Sequence, residues 1–97
     1  MSSETSQYPS PSNKCLQHCV KLAIVDDKPI MMDYWSDSHD KQVLIGVKET
    51  NEKLLVKSED EYTSPISKIY RVEDEFIICT ENSLYIVSAN IDTKRIS

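Results

Sequence analysis

The densest run of apolar positions lies between residues 66 and 87, and its spacing predicts three β-strands. Isoleucine, valine, phenylalanine and tyrosine recur there at short intervals. Such β-branched and aromatic side chains suit a pleated surface better than a helix. Two polar groups, residues 73–75 and 81–83, interrupt the run, and their Asp and Asn residues favour hairpin turns. We therefore predict an antiparallel meander over residues 66–87.

Three earlier segments also have the pattern of strands joined by polar turns. Residues 30–35 form an apolar run after a turn, and residues 53–57 have Lys at both ends, as edge strands often do. Side chains in residues 41–48 are expected to alternate between the two faces of a strand, which places Val43 and Ile45 on one face. Gly46, the single glycine, predicts a bulge, a bend or a close approach of the backbone.

Residues 15–25 admit two interpretations. Apolar positions recur at helical spacing, and Asn13 can serve as an N-cap. However, Val20, Leu22 and Ile24 also alternate with less apolar residues, as they would in a strand. We favour a strand over residues 17–25, with a short helical turn before it.

Taken together, the pattern predicts an all-β fold: a small antiparallel meander that forms a barrel or sandwich of about six to seven strands. The short connections leave no room for parallel crossovers. We expect a flexible N-terminal tail over residues 1–13, a single β domain over residues 14–90 and a C-terminal tail over residues 91–97. In that last segment Ile91 and Ile96 offer a further strand as the alternative.

Composition narrows the class of protein. A chain of 97 residues predicts one domain. Its net charge is −5 and its basic residues form no longer run than Lys94-Arg95, which argues against a nucleic-acid partner. No apolar window is long enough to span a membrane, and residues 1–7 lack the features of a secretion signal. The three cysteines are an odd number, so we expect reduced thiols in a cytoplasmic protein that is not secreted.

One candidate for chemistry is the group Cys15, His18 and Cys19, whose side chains are zinc-ligand types. Cys79 or His39 would have to supply the fourth ligand, because the second pair of a common zinc pattern is missing. We interpret the thiols as buried packing residues beside a surface histidine, and we predict no metal and no cofactor.

Other catalytic patterns are incomplete. Cys79 lies inside an apolar run, where a thiol is normally inert rather than a nucleophile. Asp33, Asp37 and Asp40 lack the Gly and the terminal Glu of a calcium loop. A single glycine also excludes a Gly-rich phosphate loop. We therefore predict that the protein is not an enzyme and has no small-molecule substrate.

The aromatic residues Tyr34, Trp35 and Tyr62 are candidates for partner binding. Aromatic rings with acidic neighbours can form a cage for the methylated lysine of a basic peptide. Core packing or anchoring of an interface explains the same residues, and we favour that interpretation.

Residues 28–88 contain the segments KPIMMDYWSD, KQVLIGVKETNEKLLVKSEDEYTSPISKIYRV and FIICTENSLYIV. In these segments, and above all in YTSPI followed by TENS, the chain resembles a set of small proteins encoded by large DNA viruses of amoebae and algae. The resemblance implies a protein made in the infected host cell and packaged in the virion. It carries over no functional residues.

These observations predict a structural or interaction protein without catalysis, which self-associates as a homodimer or larger homo-oligomer and is associated with a virion. The alternative is a small-barrel reader that binds a basic peptide or histone tail through Tyr34 and Trp35. The host cytoplasm or the virion is the expected location, and no membrane partner is expected.

Overall fold

A computed structural model of the chain describes residues 10–96, and within that range it contains two helices and seven strands. In chain order these are α1 (Asn13–Asp26), β1 (Ile30–Met31), α2 (Trp35–His39), β2 (Leu44–Val47), β3 (Lys53–Val56), β4 (Ile66–Val72), β5 (Glu75–Thr80), β6 (Leu84–Ser88) and β7 (Asp92–Arg95). Neither helix in this part of the chain is long and apolar enough to cross a membrane.

The strands form two sheets. Sheet A has the strand order β1-β6-β5-β4, and sheet B has the order β3-β2-β7. In sheet A, β4 pairs antiparallel with β5 and β5 pairs antiparallel with β6. The meander predicted over residues 66–87 is therefore confirmed, with Glu73 at φ 55° in its first turn.

Two strand pairs are parallel, and here the prediction of a purely antiparallel fold is wrong. β1 pairs parallel with β6, and β2 pairs parallel with β7. A parallel pair needs a long crossover, and in both cases the crossover consists of most of the domain. Connection lengths between neighbouring segments could not reveal a pairing between strands that are so distant in the chain.

Sheet A forms the middle layer of the molecule. Helix α1 packs on one of its faces and sheet B on the other, and each side has its own apolar core. Ile77 and Ile86 face the α1 side, whereas Ile78 and Val87 face sheet B. Because β5 and β6 are buried on both faces, their sequences are almost continuously apolar. The fold is mostly β, and the predicted number of strands is present in two packed sheets. The sheets are open, so the barrel alternative is not formed, and the two helices show that the all-β prediction holds only in part.

Residues 13–26 form helix α1, and the strand predicted over residues 17–25 is wrong. The helix begins after Ser12, whose Oγ accepts a hydrogen bond from the Cys15 amide at 3.1 Å. It ends at Asp27, which has a left-handed φ of 54°. The N-cap is therefore Ser12 and not Asn13. The alternation along residues 20–24 is not a pleat, since Val20 and Ile24 are exposed while Leu22 packs against the core.

The segment after Pro29 also differs from its prediction. The strand expected over residues 30–35 is reduced to β1, and its predicted last residue, Trp35, begins α2. The Ser38 hydroxyl donates to the Trp35 carbonyl at 2.6 Å and accepts from the Ser88 amide at 2.9 Å. The bond from the Ser88 amide holds α2 against β6, which no local pattern of polar residues could indicate.

The chain ends are partly described. Residues 1–9 of the predicted N-terminal tail lie outside the described residues, but Pro11 is buried and Ser12 caps α1. Strand β7 falls within residues 91–97, so the alternative of a last strand is the one observed. Ile91 just before β7 is buried in the core between the sheets.

Candidate functional site

The three cysteines meet in the core between α1 and sheet A. Cys15 and Cys19 are one helical turn apart, and together with Cys79 of β5 they are buried and unoxidised. Burial raises the pKa of the Cys15 thiol from 9.0 to about 11, and the nearby Glu75 carboxylate acts in the same direction. Burial likewise raises the pKa of Cys19 to about 11, assisted by Cys79. These thiols are protonated at neutral pH, and protonated thiols are poor nucleophiles and poor metal ligands.

The structure does not assemble the candidate metal-ligand set. His18 is exposed, while Cys15 and Cys19 point into the core. His39 lies edge-on to Trp35, with ring centroids 4.4 Å apart. Among residues 10–96 no group of three His, Cys, Asp or Glu side chains is placed to hold a metal ion.

The acidic candidates are also dispersed. The Asp37 carboxylate pairs with the Lys57 ammonium at 3.0 Å, which joins α2 to the end of β3. Asp33 and Asp40 are exposed. The ion pair with Lys57 gives Asp37 a structural role.

The three aromatic candidates do not share one surface. Tyr34 is buried in the core between the sheets, where its ring meets Tyr85 edge-on at 5.4 Å between centroids. Trp35 is buried in the other core, beneath α1. Only Tyr62 of this set is exposed, at 59%. The rings that a peptide-reading cage would need are therefore packed inside, on opposite faces of sheet A.

The most prominent apolar surface lies on the outside of α1. Val20 is 48% exposed and Ile24 is 75% exposed, and the half-buried Leu16 precedes them at the same four-residue interval. Side chains four residues apart lie on one side of a helix, so these three form a continuous stripe. We call Leu16, Val20 and Ile24 the α1 crest. Their spacing was visible in the sequence, but only a helical interpretation of the segment turns it into a surface.

A groove of about 610 Å³ lies on the other side of α1, between the helix and β4. β4 is an edge strand of sheet A, and α1 packs mainly over its neighbours. The apolar residues that line the groove are Leu22, Val25, Tyr70, Val72 and Ile77. Val25 is 79% exposed. We call this feature the α1–β4 groove.

The rim of the α1–β4 groove is basic although the chain is acidic. Lys14, Lys21 and Arg71 contribute three positive charges and Glu73 one negative charge, which leaves +2 on the lining against −5 for the whole chain. Arg71 is positioned by a hydrogen bond from its Nε to the Glu73 carbonyl at 3.1 Å. Sequence reasoning missed this patch, because its cations come from distant segments and form no basic run.

Comparison of the chain with known protein families, curated proteins and solved structures finds no match. Function is therefore inferred from the surface of the folded chain.

Proposed function

We propose that the protein is a structural or interaction protein that acts without catalysis and self-associates through the α1 crest. The observation that supports this proposal is the exposure of Val20 and Ile24 on one stripe of a helix whose opposite side is docked. Contiguous exposed aliphatic side chains are typical of surfaces that a partner covers.

A twofold arrangement fits the crest. If two copies of α1 cross antiparallel with Val20 at the axis, Leu16 of each copy meets Ile24 of the other, and the surface is complementary to itself. Antiparallel helices also place the opposite ends of their dipoles side by side. Apolar contact supplies the affinity in this dimer, and the helix dipoles favour the antiparallel direction.

The resemblance of residues 28–88 to proteins of large DNA viruses supports a location for this assembly in the host cytoplasm or in the virion. A structural role needs no reactive group, cofactor or small-molecule substrate. It requires only that each copy present surfaces for its neighbours.

The crest is tested with Ile24→Gln, which keeps a helix-compatible side chain and removes the exposed aliphatic group. We expect sedimentation velocity to show a wild-type dimer and a variant whose dissociation constant is weaker by about tenfold or more, equivalent to roughly 1.4 kcal/mol. Met32→Gln is the matched control, since Met32 is 41% exposed and lies outside α1.

The control is expected to dimerise like the wild type, and circular dichroism should show both variants folded. A wild-type protein that stays monomeric at high concentration, or an Ile24→Gln protein that dimerises as tightly as the wild type, would contradict the crest proposal.

A further inference from the structure

We propose that the α1–β4 groove binds the acidic turn of a second copy, formed by residues 58–61 (SEDE), and so joins crest dimers head to tail. This inference extends the proposed self-association to a second kind of contact. It specifies a groove, an occupant and the chemistry that matches them.

The groove requires an anionic occupant with apolar character. Lys14, Lys21 and Arg71 line the groove together with aliphatic and aromatic residues. A groove lined by both cationic and apolar side chains attracts acidic segments and repels basic ones. These charges select the kind of partner and the orientation in which it binds. The lining of the groove is positive, whereas the whole chain has a net charge of −5. Two copies therefore repel each other least when an acidic part of one copy approaches the groove of the other.

The acidic turn has the complementary composition. Glu59, Asp60 and Glu61 are consecutive and exposed, and Tyr62 next to them is 59% exposed. Three carboxylates are thus opposite in sign to the groove lining, whose net charge is +2. The exposed phenol ring beside them offers the apolar component.

The turn is also held in shape before it binds. The Ser58 Oγ accepts hydrogen bonds from the amides of Asp60 at 3.2 Å and Glu61 at 3.1 Å. The Lys57 amide donates to the Glu61 carbonyl at 2.8 Å, which closes the loop. None of these bonds uses the acidic side chains, and a backbone that is already ordered loses little entropy on binding.

The turn and the groove of one copy lie on different sides of the molecule. Lys57, just before the turn, pairs with Asp37 of α2, and α2 packs beside β6. The groove lies beside β4, the edge strand two positions away from β6 in sheet A, and on the α1 side of that sheet. The acidic turn of one copy therefore contacts the α1–β4 groove of another copy. This contact is heterologous, and together with the twofold crest it generates an assembly larger than a dimer.

Ionic strength separates the two contacts. An exposed contact between three cations and three carboxylates is strongly screened at about 0.5 M NaCl, where the Debye length is roughly 4 Å, whereas apolar crest contact is not. We expect sedimentation velocity to show species larger than the dimer at low salt and dimers at high salt. A dimer that never assembles further at low salt would overturn the inference and leave the crest proposal standing.

Charge reversal supplies the decisive test. The groove variant Lys14→Glu/Lys21→Glu and the turn variant Glu59→Lys/Asp60→Lys are each expected to stop at the dimer, because groove and turn then carry the same sign in every copy. An equimolar mixture is expected to recover the larger species, since each groove again meets a turn of opposite sign. Lys94→Glu and Glu49→Lys, which lie outside both surfaces, are the matched controls and should assemble like the wild type.

Circular dichroism establishes that each variant is folded before assembly is compared. Larger species formed by either variant alone as readily as by the wild type, or a mixture of folded variants that stays dimeric, would overturn the assignment of groove to turn. Ile24→Gln distinguishes the two proposals, because it is expected to weaken the twofold contact and leave the salt-sensitive contact in place.

Discussion

At the scale of the residue, Gly46 is required by neighbours that are distant in the chain. A Cβ atom at this position of β2 would lie 2.7 Å from Ile96 Cδ1 and 3.0 Å from Val56 Cγ2. Its φ is not positive, so space rather than backbone freedom is the reason for glycine. Of the three roles predicted for Gly46, the close approach is the one observed, and only the fold identifies the side chains that approach it.

We expect Gly46→Ala to lower the free energy of unfolding by about 1 kcal/mol, because the new methyl group displaces Ile96 from the outer face of sheet B. The loss stays modest since Ile96 is partly exposed and can move. Urea denaturation measures the change. The double variant Gly46→Ala/Ile96→Ala should lose less than the sum of the single losses, and strict additivity would contradict the proposed contact.

At the scale of the element, α1 shows why a local pattern was insufficient. The segment is apolar on several sides, so both a helical and an alternating interpretation match it. Docking decides between them, because Cys15 and Cys19 face the core together with Leu22 and Ala23, and only a helix puts that spacing on one side. The small thiol side chains face the sheet, while the larger Val20 and Ile24 point outwards.

The docked face of α1 predicts a loss of stability at alkaline pH. The pKa of Cys15 and of Cys19 is raised from 9.0 to about 11 in the folded chain. Between these values the unfolded state releases protons that the folded state retains, so the free energy of unfolding falls as the pH rises from about 9 to about 11. Below pH 9 the two states bind equal numbers of these protons, and the contribution is fully present.

Urea denaturation from pH 8 to pH 11 measures this effect, with Cys15→Ala/Cys19→Ala as the control. The variant should be less stable at pH 8 but lose less stability over the interval, because the remaining slope comes from other groups. Native thiols should also resist alkylation at pH 8 and react after unfolding. Equal slopes for the two proteins would count against burial as the cause.

At the scale of the whole molecule, sheet A couples two cores. Ile77 contributes to the core beneath α1 and Ile78 to the core between the sheets, although they are adjacent in β5. Trp35 belongs to the first core, while Tyr34 and Tyr85 belong to the second. Because both cores share the strands of one sheet, neither is expected to persist without the other.

We expect Ile77→Ala and Ile78→Ala each to destabilise the chain by about 2 to 5 kcal/mol, since both side chains are fully buried. Tryptophan fluorescence reports mainly on the core beneath α1, and near-ultraviolet tyrosine dichroism mainly on the other. Their urea midpoints should coincide in the wild type and in both variants. A shift of the tryptophan transition alone in Ile77→Ala would show that the cores unfold separately.

The amino-acid sequence by itself determined the meander over residues 66–87, its two turns and the mostly β character of the fold. These features arise from interactions between residues close in the chain, and such interactions leave a period in the sequence. The sequence also indicated a special environment for Gly46 and burial of the thiols, because glycine and cysteine each occur in a limited range of environments.

Tertiary structure alone decided the parallel pairs, the helix over residues 13–26 and the burial of Tyr34 and Trp35 in separate cores. It also decided that Lys14, Lys21 and Arg71 surround one groove and that Val20 and Ile24 are left uncovered. Each of these depends on which distant segments pack together, and the free energy of that packing is a sum over contacts that no local spacing records.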